Sequence, residues 1–183
     1  NGKSNFESHI KIESPEMLYL FLDRGQTNSV DNNLPFFAEP GNMTIETSNE
    51  EFFNRAKISG SKNHKLYEEY LKIKSRFTGQ NVELVKKNME ATKNSQVARL
   101  DSIYKAMKRL EDKRYLYTAN FALNHKDHEI APYLALSEIP NINMKYLDTI
   151  HKSLSPKVAK SHYGKILTRF ISDRKKHEAE ISN

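Results

Sequence analysis

The segment that decides the fold reads ISGSKNHKLYEEYLKIKSRF and spans residues 58–77. Up to Gly60, apolar and polar residues alternate with a period of two, which is typical of a strand with one buried face. After Ser61, a residue suited to a helix N-cap, the period changes to that of an α-helix. The apolar residues then fall on one helix face, at Leu66, Tyr70, Ile73 and Phe77. The segment therefore predicts a β region that passes directly into a long helix.

Residues 1–60 form the predicted β region. Alternating patterns and short apolar runs, separated by turn residues, predict five strands. These strands cover residues 6–12, 17–22, 34–39, 43–47 and 56–59. The pair Asn1-Gly2 is a hairpin turn signal, because both residues tolerate positive φ. We therefore expect a strand before it, outside this chain.

Residues 61–183 form the predicted helical region. Two long helices that meet near Asn94-Ser95 predict an antiparallel pair over about 62–124. The dipeptide Thr78-Gly79 is where we expect the first helix to bend or break. Shorter helices follow over about 128–176, and the charged stretch after 172 is expected to fray. The predicted class is α+β, with an incomplete, sandwich-like antiparallel sheet followed by a helical hairpin and shorter helices.

Composition limits the chemistry that the chain can perform. The 183 residues include no cysteine, so disulfides, thiol catalysis and cysteine-based zinc sites are excluded. Basic residues outnumber acidic ones by 29 to 23. No run of 18 apolar residues occurs, so no transmembrane segment is predicted. Because no catalytic or phosphate-binding motif is present either, we expect the chain not to be an enzyme.

The sharpest candidate for metal chemistry is His125-x-x-His128-Glu129. Two imidazoles and a carboxylate are ligands that zinc accepts, and a metal-dependent hydrolase is the alternative function that they suggest. The motif differs from HExxH on one helix, and short motif matches arise often by chance. We therefore expect Asp127 to cap the next helix, both histidines to face solvent, and no metal or other cofactor to be bound.

Basic residues form two clusters in the helical region. The first contains Lys105, Lys108, Arg109, Lys113 and Arg114; the second contains Lys157, Lys160, Lys165, Arg169, Arg174, Lys175 and Lys176. Such clusters could bind nucleic acid or an anionic lipid surface. Acidic residues interleave with them, which favours solvated helix faces, and the spacing of Tyr104 and Tyr117 favours packing over base stacking. We therefore expect no nucleic-acid partner.

Three segments together carry a resemblance to a known family. They are LPFFAEPGNMTIET (34–47), ISGSKNHKLYEEYLK (58–72) and NHKDHEIAPYLALSEI (124–139). In this order and spacing, over most of the chain, the sequence resembles the DUF4369 family, a domain of unknown function. The turn after the Phe-Phe pair and the Gly60-Ser61 step are the most specific features of the resemblance.

The resemblance implies an N-terminal accessory domain of thioredoxin-like thiol-disulfide interchange proteins of the AhpC-TSA type. It implies the periplasm or outer surface of a Gram-negative bacterium, with a lipid anchor upstream of this chain. The thioredoxin-like domain would follow the last helix, whereas this chain ends at Asn183. We therefore expect a non-catalytic envelope domain that binds or positions a protein partner or a fused thioredoxin-like domain. Its expected contact surfaces are the long helical pair and the region around Phe36 and Phe37, unless those rings fill the core.

Overall fold

The computed structural model of the chain describes residues 4–25 and 29–181. The predicted turn at Asn1-Gly2 lies outside these residues, and so do residues 26–28, between the second and third predicted strands. The α+β class is confirmed, because short antiparallel strand pairs precede a set of helices. No described helix is both long enough and apolar enough to cross a membrane.

The described strands form two separate two-stranded antiparallel sheets. Strand β1 (Glu16–Phe21) pairs with β2 (Asn33–Ala38), after a short 3-10 turn at Val30–Asn32, and β3 (Thr44–Glu46) pairs with β4 (Lys57–Ser59). Four of the five predicted strands are thereby confirmed. The described strands do not join into one sandwich-like sheet. One reason is that β2 ends just before Pro40, which has no N–H group with which to extend the ladder.

The predicted strand over residues 6–12 is absent. This segment has no regular secondary structure, and the side chains of Phe6 and Ile10 are 78 % and 62 % exposed. An alternating pattern forms a stable strand only where a neighbouring strand accepts its hydrogen bonds. Among the described residues, no strand pairs with this segment.

Six helices make up the rest of the described chain. They are α1 (Lys62–Lys93), α2 (Val97–Asn124), α3 (Ile130–Ser137), α4 (Met144–Ser153), α5 (Pro156–Ala159) and α6 (His162–Ile181). The predicted pair over 62–124 is confirmed, and Ser61 caps α1 by accepting a hydrogen bond from the His64 N–H at 2.9 Å. The expected break at Gly79 does not occur, since α1 runs through it.

The last part of the helical stretch predicted over about 128–176 forms two helices, α5 and α6, and α6 extends further than expected. The division falls at Ser161, whose hydroxyl donates to the Val158 carbonyl and accepts from the Gly164 N–H. A Cβ atom at Gly164 would lie 2.6 Å from the Ala159 carbonyl oxygen, so only glycine lets α5 and α6 approach this closely. The charged stretch after 172, expected to fray, continues α6 to Ile181.

Two buried clusters form the core. The larger one lies between the helices and centres on residues of α2, α3, α4 and α6 such as Ala122, Ala135, Leu147 and Leu167. The smaller one attaches the first sheet to the helices: Met17, Phe37, Leu66, Tyr67, Tyr70, Ile130 and Leu134. The fully buried Phe37 ring meets the Tyr133 ring edge-on at 5.3 Å. The β region is therefore packed onto α1 and α3.

A buried histidine also links the first sheet to α1. The N–H of Phe37 donates to Nδ1 of His64 at 3.3 Å, and Nε2 of His64 lies 3.7 Å from the Glu68 carboxylate. Burial lowers the pKa of His64 below its ordinary value of 6.5, although Glu68 opposes this shift. A proton on Nδ1 would replace the acceptor with a second donor facing the Phe37 N–H.

A Gly60→Ala substitution should destabilise the fold by about 1–3 kcal/mol, because Gly60 has a φ of +90°. An added Cβ would also collide with the Asn42 carbonyl and lie 2.9 Å from the Met43 Cα. The matched control is Gly79→Ala, where nothing lies within 4 Å of the new methyl group. The control should stabilise α1 by about 1 kcal/mol. Urea unfolding followed by circular dichroism measures both changes, and equal midpoints would contradict the expectation.

Stability should fall as the pH is lowered below 6.5, because the unfolded chain binds a proton at His64 more readily than the native protein does. His64→Asn keeps an oxygen acceptor for the Phe37 N–H and does not titrate. We expect this variant to show a shallower loss of unfolding free energy between about pH 7.5 and about pH 5. This variant should still lose some stability as the pH falls, because burial also lowers the pKa of His128. The control His9→Asn, at an exposed site, should lose stability with falling pH as the wild type does. If the pH dependence of His64→Asn equals that of the wild type, His64 is not the group responsible.

Candidate functional site

Asn63, in the first turn of α1, lies at a fully buried polar junction. Its amide Nδ2 donates to Glu39 Oε1 at 2.6 Å and to Glu129 Oε2 at 3.1 Å. Its Oδ1 accepts from the N–H of Ile130, the first residue of α3, at 2.8 Å. One side chain therefore joins the end of β2, the start of α1 and the start of α3.

The Glu39 carboxylate is held by the N-terminus of α1. Its Oε2 accepts hydrogen bonds from the backbone N–H groups of Lys62 and Asn63, the latter at 3.4 Å. Free N–H groups and the positive end of the helix dipole both favour an anion at this position. Glu39 thus serves as an additional cap, together with Ser61.

The Glu129 carboxylate is less completely satisfied. The residue is only 2 % exposed, and its Oε2 accepts a hydrogen bond from the Asn63 amide. Its Oε1 is buried as well and has no hydrogen-bond partner within residues 4–25 and 29–181. A buried carboxylate oxygen without a donor is unfavourable and occurs rarely in native proteins. Glu129 is therefore the least satisfied buried polar group at this junction.

Both glutamates line a cleft of about 530 Å³. Its walls come from the segment before β1, the turns at either end of the second sheet, the start of α3, and the α5–α6 step. The lining residues are Glu13, Ser14, Pro15, Glu39, Pro40, Gly60, Glu129, Lys157, Lys160, Ser161, His162 and Lys165. A volume of this size is typical of a small-molecule site.

The start of α6 closes one side of this cleft. The His162 N–H donates to Ser14 Oγ at 3.0 Å, which fixes the segment before β1 against the helix. Nearby, the Met17 N–H donates to the Tyr163 hydroxyl at 3.0 Å. Two hydrogen bonds between residues far apart in sequence therefore hold this wall in place.

Three lysines form the basic side of the cleft, namely Lys157, Lys160 and Lys165. All three are exposed, and none has an ion-pair partner in the part of the chain that is described. Two other members of the same predicted cluster, Arg174 and Lys175, make contacts elsewhere. Arg174 donates to the carbonyls of Pro140 and Ile142, and Lys175 pairs with an aspartate at 2.7 Å. The second basic cluster is thus divided between structural contacts and the cleft.

The predicted metal-ligand candidates do not converge. His125 lies against the Phe121 ring at 4.4 Å, whereas Glu129 turns toward Asn63. His128 is partly buried; burial lowers its pKa and the nearby Lys62 adds to this effect. Within the described ranges no group of three or more histidine, aspartate or glutamate side chains could hold a metal ion. The capping role expected of Asp127 is not seen, since α3 begins after Glu129.

The other predicted surfaces divide in a similar way. Phe37 lies in the core, whereas Phe36 is partly buried. The prediction that these rings fill the core is therefore confirmed for Phe37. In the first basic cluster, Lys105 pairs with Asp101 and Arg114 lies 3.8 Å from Glu138. Tyr104, expected to pack in the core, is 68 % exposed because only one partner helix is present at that level of α2.

Asn63 and Glu39 are not among the site residues that the sequence predicts. The only local signal at Glu39 is a carboxylate directly after a strand. Asn63 lies in a helical first turn, where an asparagine is unexceptional. Asn63 is important because it contacts Glu129 and Ile130, more than 60 residues away, and Glu39 joins the junction through Asn63.

Asn63→Ala should cost about 3 kcal/mol or more, because it leaves the Ile130 N–H and both neighbouring carboxylates without their partner. The matched control is Asn81→Ala, at an exposed position of the same helix. The control should change stability little, or raise it slightly through helix propensity. Denaturant unfolding measures the difference, and similar midpoints for both variants would contradict the role of the junction.

Comparison with known proteins identifies the N-terminal part of the chain. Residues 1–67 match the family model described as Domain of unknown function (DUF4369). This range includes the segment 34–47 and most of 58–72, whereas 124–139 lies outside it. Searches of curated proteins and of solved structures gave no significant match. The β region and the first turns of α1 are therefore similar to the DUF4369 family model, which covers 67 of the 183 residues.

Proposed function

We propose that this chain is a non-catalytic binding domain of a Gram-negative cell-envelope protein, accessory to a thioredoxin-like thiol-disulfide oxidoreductase. The support is the DUF4369 match over residues 1–67, together with what the family resemblance implies. The absence of cysteine is consistent with this role, because thiol chemistry would have to come from another domain. The same resemblance implies a location in the periplasm or on the outer surface, with a lipid anchor upstream of this chain, and both are part of this proposal.

The observation that carries a binding role is the outer half of the α1–α2 hairpin, residues 78–108. Apolar side chains are exposed along both of its helices, including Val97 at 77 % and Tyr104 at 68 %. The others are Val82, Val85 and Met89. Clustered exposed apolar residues mark interaction surfaces more often than isolated ones do. This hairpin tip is therefore the surface that we assign to the partner.

Charge defines the kind of partner that fits the hairpin tip. Residues 78–108 carry six basic side chains and three acidic ones. At its base, a groove of about 520 Å³ is lined by Phe77, Tyr104 and Met107, with Lys108 at its edge. An apolar protein surface with an acidic rim would match both features. The proposed occupant is such a face on the thioredoxin-like domain.

The first test is the mass of the native polypeptide in its own cells, measured by immunoblotting with an antibody against this domain. A species larger by about 100–150 residues, one further domain, is the expected result. A species near the present size, with only a short extension, would overturn the fused arrangement.

The second test is amide hydrogen exchange across residues 78–108, compared between the native polypeptide and this 183-residue chain. Exchange should be slower in the longer protein, because a docked domain would shield these helices. The double variant Val97→Glu/Tyr104→Glu should remove that protection. The control Ile10→Glu, at an exposed apolar residue outside the hairpin, should keep it. Equal exchange in both proteins would overturn the assignment of the hairpin tip.

A further inference from the structure

We propose that the cleft between the DUF4369 segment and the α5–α6 step binds a small ligand that combines an acidic group with a hydrogen-bond donor, either ammonium or hydroxyl. The acidic group would face the three lysines, and the donor would reach Glu129. This site is separate from the hairpin tip and does not depend on the proposed accessory role.

The Glu129 carboxylate is the group that would accept the hydrogen bond from the ligand. Glu129 lines the cleft and is only 2 % exposed, and its buried Oε1 has no hydrogen-bond donor within the described ranges. The Asn63 amide cannot supply the missing bond, because its two N–H groups already go to Glu39 and Glu129 Oε2. A ligand N–H or O–H group would complete the hydrogen bonding of this carboxylate.

Three exposed lysines of the cleft would bind the acidic group of the ligand. Lys157, Lys160 and Lys165 come from two short turns of chain on either side of Ser161, and none is neutralised by an ion pair among described residues. Elsewhere on α6 the basic side chains Arg174 and Lys175 do have acidic partners. Three lysines without an ion-pair partner among the described residues therefore line one side of the cleft, where a carboxylate or phosphate would be bound.

The acidic residues of the cleft limit the size of the ligand. Glu13, Glu39 and Glu129 share the cleft with the lysines, so the lining has three carboxylates for three ammonium groups. A polyanion such as nucleic acid, or an anionic membrane, would meet repulsion from these carboxylates. A small molecule with both kinds of group would match the lining, and the volume of about 530 Å³ accommodates one.

The test is titration of the folded chain with three defined probes, followed by NMR chemical shifts. Glycylglycine offers an ammonium group and a carboxylate, glucose 6-phosphate offers hydroxyls and a phosphate, and inorganic phosphate offers the anion alone. One of the first two should shift cleft residues at low-millimolar concentration and bind at least about tenfold more tightly than phosphate. Which of the two binds distinguishes a peptide-like ligand from a sugar phosphate.

Variants assign the binding to the proposed groups. Lys160→Gln and Lys165→Gln change exposed side chains and should leave the fold intact, yet each should weaken binding several-fold. Glu129→Gln keeps an oxygen for Asn63 but presents an amide donor where an acceptor is needed, and should weaken binding about tenfold. The control Lys176→Gln, an exposed lysine near the far end of α6, should bind as the wild type does.

Three results would overturn the proposal. One is that neither two-group probe shifts the cleft residues of the folded wild type. Another is that phosphate binds as tightly as both, which would indicate a simple anion site. The third is that Lys160→Gln, Lys165→Gln and Lys176→Gln weaken binding equally, which would indicate general charge attraction.

Discussion

The buried amide of Asn63 is the contact on which the arrangement of the two parts of the molecule depends. It donates to carboxylates from β2 and from the start of α3, and it accepts the first N–H of α3. Two carboxylates would repel each other in a buried setting, and a shared amide donor reduces that repulsion while it fixes their separation. The β region is therefore oriented on the helices by directional hydrogen bonds as well as by apolar packing.

Around this junction, aromatic rings pack between the first sheet and the helices. Phe37, Tyr67, Tyr133 and Tyr163 meet edge to face at centroid distances of 5.2–6.0 Å. Two backbone N–H groups of the first sheet also donate hydrogen bonds to side chains of the helices. Phe37 donates to His64, and Met17 donates to Tyr163. Because the sheet has only two strands, these bonds stabilise groups that a third strand would otherwise pair.

The candidate cleft and the hairpin tip lie on different parts of the molecule and have different chemical character. The cleft is small, is lined by both basic and acidic side chains, and lies near the N-termini of helices. These features suit a compact polar ligand. The hairpin tip has exposed apolar side chains and a basic excess, which suits a protein surface. A domain that senses a small molecule and contacts a partner would need two such separate surfaces.

The sequence by itself determined the local elements of this protein. The change of period after Gly60, the cap at Ser61 and the spacing of the long helices depend on neighbouring residues, and these predictions were confirmed. Only the tertiary structure decided the pairing of the strands, the unpaired state of residues 6–12 and the junction at Asn63. The physical reason is that a hydrogen bond between Asn63 and Glu129 joins residues 66 apart, and no periodicity in the chain records which distant groups will meet.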